Sequence, residues 1–78
     1  MRSAEEVRSG DMFRLTSAAS VQFARPILFN VTSAGPSLTS EDWVWLDGYE
    51  LDVVGKAVAH RSVFVQLAGL QLLSRSPD

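Results

Sequence analysis

Two alternating stretches, residues 43–52 and 58–67, flank the turn-forming segment Asp52-Val53-Val54-Gly55-Lys56-Ala57. Alternation at period two marks strands rather than helices, and paired alternation across a short turn marks an antiparallel hairpin. A turn centred between Val54 and Gly55 sets Trp45 opposite Phe64, Tyr49 opposite His60, Leu46 opposite Val63 and Val44 opposite Val65. Val44, Leu46, Val63 and Val65 then share one face, and Trp43, Trp45 and Phe64 share the other. Further along, Tyr49, Leu51 and Val58 sit on the side opposite those valines and leucines, which breaks the apolar phase. Gly48 stands at the break. A glycine inside a strand suggests a bulge or bend, so Gly48 is expected to hinge β structure there and turn Tyr49 and Leu51 inward. A two-residue hairpin at Asp47-Gly48 is the competing arrangement, ranked second because it leaves strands of only about four residues on each side.

The rest of the chain reads as short strands around this hairpin. Residues 3–6, Ser-Ala-Glu-Glu, carry a minimal capping-box pattern for one helical turn. Val7-Arg8-Ser9-Gly10-Asp11 reads as a tight turn into an alternating first strand at residues 12–16. Residues 17–22 are small and loop-like. Residues 25–32 are rich in strand formers, with Pro26 at the start or edge. Residues 33–40, with Gly35-Pro36, form a turn-rich connection. Residues 68–73 supply a short closing strand, and residues 74–78 a frayed tail. Val63, Leu67 and Leu70 also fall at helical spacing, but the Val63-Phe64-Val65 cluster and Gly69 oppose a helix over 61–73. The expected fold is mainly β: a small antiparallel barrel of about five strands in one domain, residues 1–78.

Such a domain must hold itself together by packing. There are 78 residues and no cysteine, and His60 is the single histidine. A disulfide is therefore excluded, and a structural zinc lacks ligands. The hydrophobic content of 46% suits a packed core and not a disordered chain.

The same composition removes most chemistries. No Gly-x-Ser-x-Gly elbow accompanies His60, so nucleophilic catalysis has no support and the chain reads as a non-enzyme. Phosphate-cradling and dinucleotide patterns are absent, and no cofactor is implied. Glu41, Asp42, Asp47, Glu50 and Asp52 do not follow a calcium-loop spacing, and alternation sends them to both faces of a strand, so no metal ligand is assigned. Asn30-Val31-Thr32 matches a glycosylation sequon but stands in a chain whose start is acidic, unlike a secretory signal. No apolar run approaches the roughly 18 residues of a membrane span. The expected location is the cytoplasm, with no membrane partner.

Val7-x-x-Gly10-Asp11 leading into the first strand, followed by four or five short strands, resembles SH3-like small β-barrels. Trp43-Val44-Trp45-Leu46-x-Gly48-Tyr49 with Arg61-x-Val63-Phe64-Val65 is also similar to a group of short proteins of actinobacteria. Neither resemblance implies an activity or a set of catalytic residues.

What remains is the aromatic face. If the valines and leucines line the core, Trp43, Trp45 and Phe64 form an outer ledge beside Glu41 and Asp42, and exposed aromatics of this kind mark binding surfaces. Alternatively, Leu70, Leu72 and Leu73 or the first strand cover that face and the indoles serve the core. The sequence supports a binding or adaptor module for a protein or peptide, with Trp43, Trp45, Phe64 and Arg61 as candidate partner-binding residues. Two other readings stand beside it. A nucleic-acid-binding barrel needs Arg14, Arg25, Lys56 and Arg61 to converge on the aromatic face, which a net charge of −2 disfavours. A homodimeric structural subunit would bury the ledge against a second copy.

Overall fold

The computed structural model describes residues 7–36 and 41–75. Five antiparallel strands build one sheet: β1 (Met12–Leu15), β2 (Ile27–Pro36), β3 (Trp43–Leu51), β4 (Ala57–Gln66) and β5 (Gln71–Ser74). Their order across the sheet is β4-β3-β2-β1-β5. The two edge strands, β4 and β5, are thus neighbours in sequence, joined through a 3₁₀ turn at Leu67–Gly69 and by Leu70. Four strand spacings across a flat sheet would separate them by roughly 19 Å, whereas a three-residue 3₁₀ turn rises only about 6 Å. The sheet therefore curls until its edges approach at one corner. Gln66 N donates to Ala19 O at 2.7 Å and Leu67 N to Asp42 O at 2.8 Å in this region, tying the end of β4 to two loops.

This agrees with the mainly β expectation and revises the barrel. Among the described residues no ladder joins β4 to β5, so the sheet is curled but open. The helical turn expected at residues 3–6 lies outside the described residues, as do residues 76–78 of the expected tail. No helix among the described residues is long and apolar enough to cross a membrane.

The core fills the inside of the curl. Phe13 and Leu15 from β1, Phe29 and Val31 from β2, Val44 and Leu46 from β3, and Val63 and Val65 from β4 are all buried, with Ala19, Phe23, Leu67 and Leu70 closing the ends. Alternation explains the list: every second residue of a strand faces in, and the buried residues fall at i, i+2 spacing on that side. At the near end, the turn before β1 is held by Asp11, which is fully buried. Its carboxylate accepts from Arg8 N at 2.9 Å, while its carbonyl accepts from Val31 N at 2.9 Å.

The hairpin register is the one the sequence implies: Val44↔Val65, Trp45↔Phe64, Leu46↔Val63 and Tyr49↔His60. At its tip Asp52 Oδ1 accepts from Val54 N at 3.0 Å and Lys56 N at 2.9 Å. Gly55 completes the turn at φ +85°, a left-handed conformation that a side chain would strain.

Two expectations fail. First, Gly48 is not a hinge. The β3–β4 register runs without a shift from Trp43↔Gln66 to Glu50↔Ala59, and Tyr49 stays on the outer side, 41% exposed. The extra residues lie in the flanking strands instead. Thr32 is unpaired in β2 between Val31↔Gly48 and Ser33↔Asp47, and Val58 in β4 between Glu50↔Ala59 and Leu51↔Ala57. Gly48 is small for a packing reason. A Cβ there would collide with Asn30 O and come within 2.9 Å of Phe29 Cε2, so the missing side chain lets the β2 backbone approach and makes room for a core phenylalanine. Second, residues 33–36 are strand and not connection. Ser33, Ala34, Gly35 and Pro36 pair with Asp47, Leu46, Trp45 and Val44. Their weak strand preference yields to the long partner offered by β3, and Pro36 sits at the strand's end, where proline is tolerated.

Candidate functional site

Because Val44, Leu46 and Gly48 point inward, Trp43, Trp45, Asp47 and Tyr49 must point outward. The unbroken register places Gln66, Phe64, Ser62 and His60 beside them on β4. The result is a two-strand outer surface with aromatic groups at each end and a carboxylate between them.

The upper aromatic group is a stack of three rings. Trp43 lies over Phe64 with ring centroids 5.1 Å apart and planes 21° off parallel, and Trp45 meets the same ring at 4.9 Å and 38°. Trp45 is 49% exposed, and Trp43 and Phe64 are partly exposed. Neither the C-terminal leucines nor β1 covers this face: both pack elsewhere, β5 against β1 at the opposite edge of the sheet. The ledge meets solvent. Glu41 and Asp42, both exposed, lie just before Trp43. The lower aromatic group is Tyr49 edge-on to His60, with centroids 5.1 Å apart at 73°.

Asp47 occupies the middle, held by hydroxyls from both neighbouring strands. Ser62 Oγ donates to Asp47 Oδ1, and Ser33 Oγ donates to Oδ2 at 3.1 Å. Thr32, the bulged residue of β2, donates its hydroxyl to Asp47 O at 3.0 Å. The Ser62 bond first, then the Ser33 bond, holds the carboxyl below its ordinary value of 3.8; partial burial opposes this and the nearby His60 adds to it. Asp47 is an ionised group in a fixed orientation at neutral pH.

Of the four candidate partner-binding residues, the structure brings three together and separates the fourth. Arg61 pairs with Gly48, and so it projects from the inner side of β4. There its guanidinium donates to Glu50 Oε1 at 2.9 Å and lies 5.6 Å from the centroid of Phe23. It closes the lower mouth of the core and does not belong to the ledge. The convergence of Arg14, Arg25, Lys56 and Arg61 on the aromatic face is thereby broken at Arg61. Conversely, Asp47 was legible only as one of several scattered carboxylates. Its position two residues from both Trp45 and Tyr49, across from Ser62, was contained in the hairpin register. Among the described residues, no three histidine, aspartate or glutamate side chains gather as a metal-binding group. No family model, curated protein or solved structure matches this chain.

Proposed function

We propose that this domain is a non-catalytic binding module that recognises an extended segment of a protein through the outer face of β3 and β4. The carrying observation is the solvent-facing stack of Trp43, Phe64 and Trp45. Rigid aromatic rings already stacked on one another lose little conformational freedom when a partner lands on them, which is why such residues dominate binding energies. Beside the stack, β4 is an edge strand with no further strand paired to it among the described residues. Apart from Gln66, which is tied to Ala19 O, its outer edge can accept an extended chain by main-chain hydrogen bonding. The curled sheet is in keeping with an SH3-like barrel left open along that edge.

A random-peptide display library panned against the wild type and against a Trp45→Ser/Phe64→Ser variant tests the proposal. Peptides retained by the wild type and lost by a folded variant support it. Equal recovery by both proteins overturns it.

A further inference from the structure

We propose that Asp47, flanked by Trp45 and Tyr49, seats one arginine side chain of the recognised segment. This rests on the binding-module reading above and gives it a ligand chemistry.

The arrangement asks for a flat cation. Trp45 and Tyr49 stand two residues to either side of Asp47 on one strand face, roughly 7 Å away each by strand geometry. Each is backed by a ring on β4, Phe64 at 4.9 Å and His60 at 5.1 Å. A cation placed on the carboxylate therefore meets aromatic groups on both sides, and aromatic faces attract cations. A guanidinium fits better than an ammonium. It is planar, stacks on indole and phenol rings, and offers parallel donors to a carboxylate.

Asp47 is also prepared for such a partner. Ser33 and Ser62 each give one hydrogen bond to its two oxygens, which fixes the carboxylate while leaving acceptor capacity on both atoms. Across the outer positions of β3 and β4, from Trp43 to Tyr49 and from His60 to Gln66, Asp47 is the one carboxylate. Glu50 is committed to Arg61 on the other side of the sheet. Glu41 and Asp42 add negative charge at the upper end. The charge complementarity points to a basic peptide and turns away phosphates, so single-stranded nucleic acid is the opposing outcome rather than a second ligand.

The experiment uses the full chain and four acetylated, amidated peptides, Thr-Val-Ser-X-Ser-Val-Thr, where X is arginine, lysine, citrulline or glutamate. Citrulline keeps the shape of arginine and removes its charge, so the decisive comparison needs no variant protein. Binding is read from tryptophan fluorescence and from backbone amide shifts at Trp45 and Tyr49. The expected result is tightest binding of the arginine peptide, with citrulline about tenfold weaker and glutamate weaker still. In Asp47→Asn, checked for folding by circular dichroism, the preference for arginine over citrulline should shrink to the part the aromatic rings supply. Equal binding of arginine and citrulline to the wild type, lost in Trp45→Ser, overturns the arginine seat and leaves the binding module standing. No binding of any peptide, or shifts at Trp45 and Tyr49 on adding oligothymidylate instead, overturns both.

Discussion

The two faces of β3 differ in a way that inverts the usual economy of a small domain. Its inner face is Val44, Leu46 and Gly48, all buried; its outer face is Trp43, Trp45, Asp47 and Tyr49, all at least partly exposed. The largest side chains of the chain thus stand outside while one of the buried positions has no side chain at all. The reason lies in the neighbouring elements. Phe13, Phe29 and Phe23 already fill the inside of the curl, and Phe29 reaches across to the space over Gly48. No room is left for an indole. The comparison teaches that burial along this strand follows the volume the other strands leave free, and that the exposed tryptophans are surplus to packing.

If so, truncations on the two faces should differ in kind. Leu46→Ala removes a fully buried side chain and should cost about 3 kcal/mol, because the cavity it leaves is walled by other core groups. Trp45→Ala removes a larger but half-exposed group and should cost only about 1 kcal/mol, mostly the ring contact with Phe64. Urea unfolding monitored by circular dichroism measures both. Equal losses would mean that the outer stack holds the fold together and is not reserved for a partner.

The second test acts on the space between the faces. Gly48→Ala places a methyl against Asn30 O and Phe29 Cε2, so the β2 backbone at Asn30 must shift as well as Phe29. About 2 kcal/mol should be lost, in the range of other overpacked cores. Phe29→Leu should not rescue it, because the nearest obstacle is the Asn30 carbonyl of the backbone. If Gly48→Ala is neutral by the same urea measurement, the glycine is not a packing device and the hinge reading of the sequence returns.

Gly48 also shows where the sequence was legible and where it was not. Period-two alternation and the Asp52–Lys56 turn specify a pairing register, because a slip of one residue would expose every inner valine. That register survives for eight consecutive pairs from Trp43↔Gln66 to Glu50↔Ala59. The meaning of Gly48 could not be read locally, since its constraint comes from the Asn30 carbonyl and then Phe29, both on another strand. Strand extension through Pro36 is hidden for the same reason. The side on which Trp45 stands was legible, but not whether another element would cover it; that depended on β5 pairing with β1 at the far edge. Arg61 was named a candidate alongside the aromatics, although parity puts it on the inner face with Val63 and Val65.

Arg61 supplies the third test. Its ion pair with Glu50 is about one-third exposed on both sides, so Arg61→Ala should cost about 1 kcal/mol, from the pair and the lost cover over Phe23 together. It should leave peptide binding at the ledge unchanged in a fluorescence titration. A selective loss of binding with unchanged stability would show that the two faces communicate.

The smallest effect separates Asp47 from the purely apolar part of its own face. Its carboxyl is held below 3.8 by the hydroxyls of Ser62 and Ser33. A depressed value in the folded state means that the folded protein holds its proton less tightly than the unfolded chain. The stabilisation is therefore fully present above the unfolded value near pH 4, and it drains away as pH falls through the lowered folded value. The difference in urea midpoint between wild type and Asp47→Asn should shrink as pH falls below about 4, where Asp47 becomes neutral in both states. Ser33→Ala/Ser62→Ala should shrink the same acid-dependent difference while leaving the carboxylate in place. If the difference does not change with pH, the hydroxyls are not fixing an ionised carboxylate. The outer face would then be an aromatic surface alone, with nothing at its centre to choose a cation.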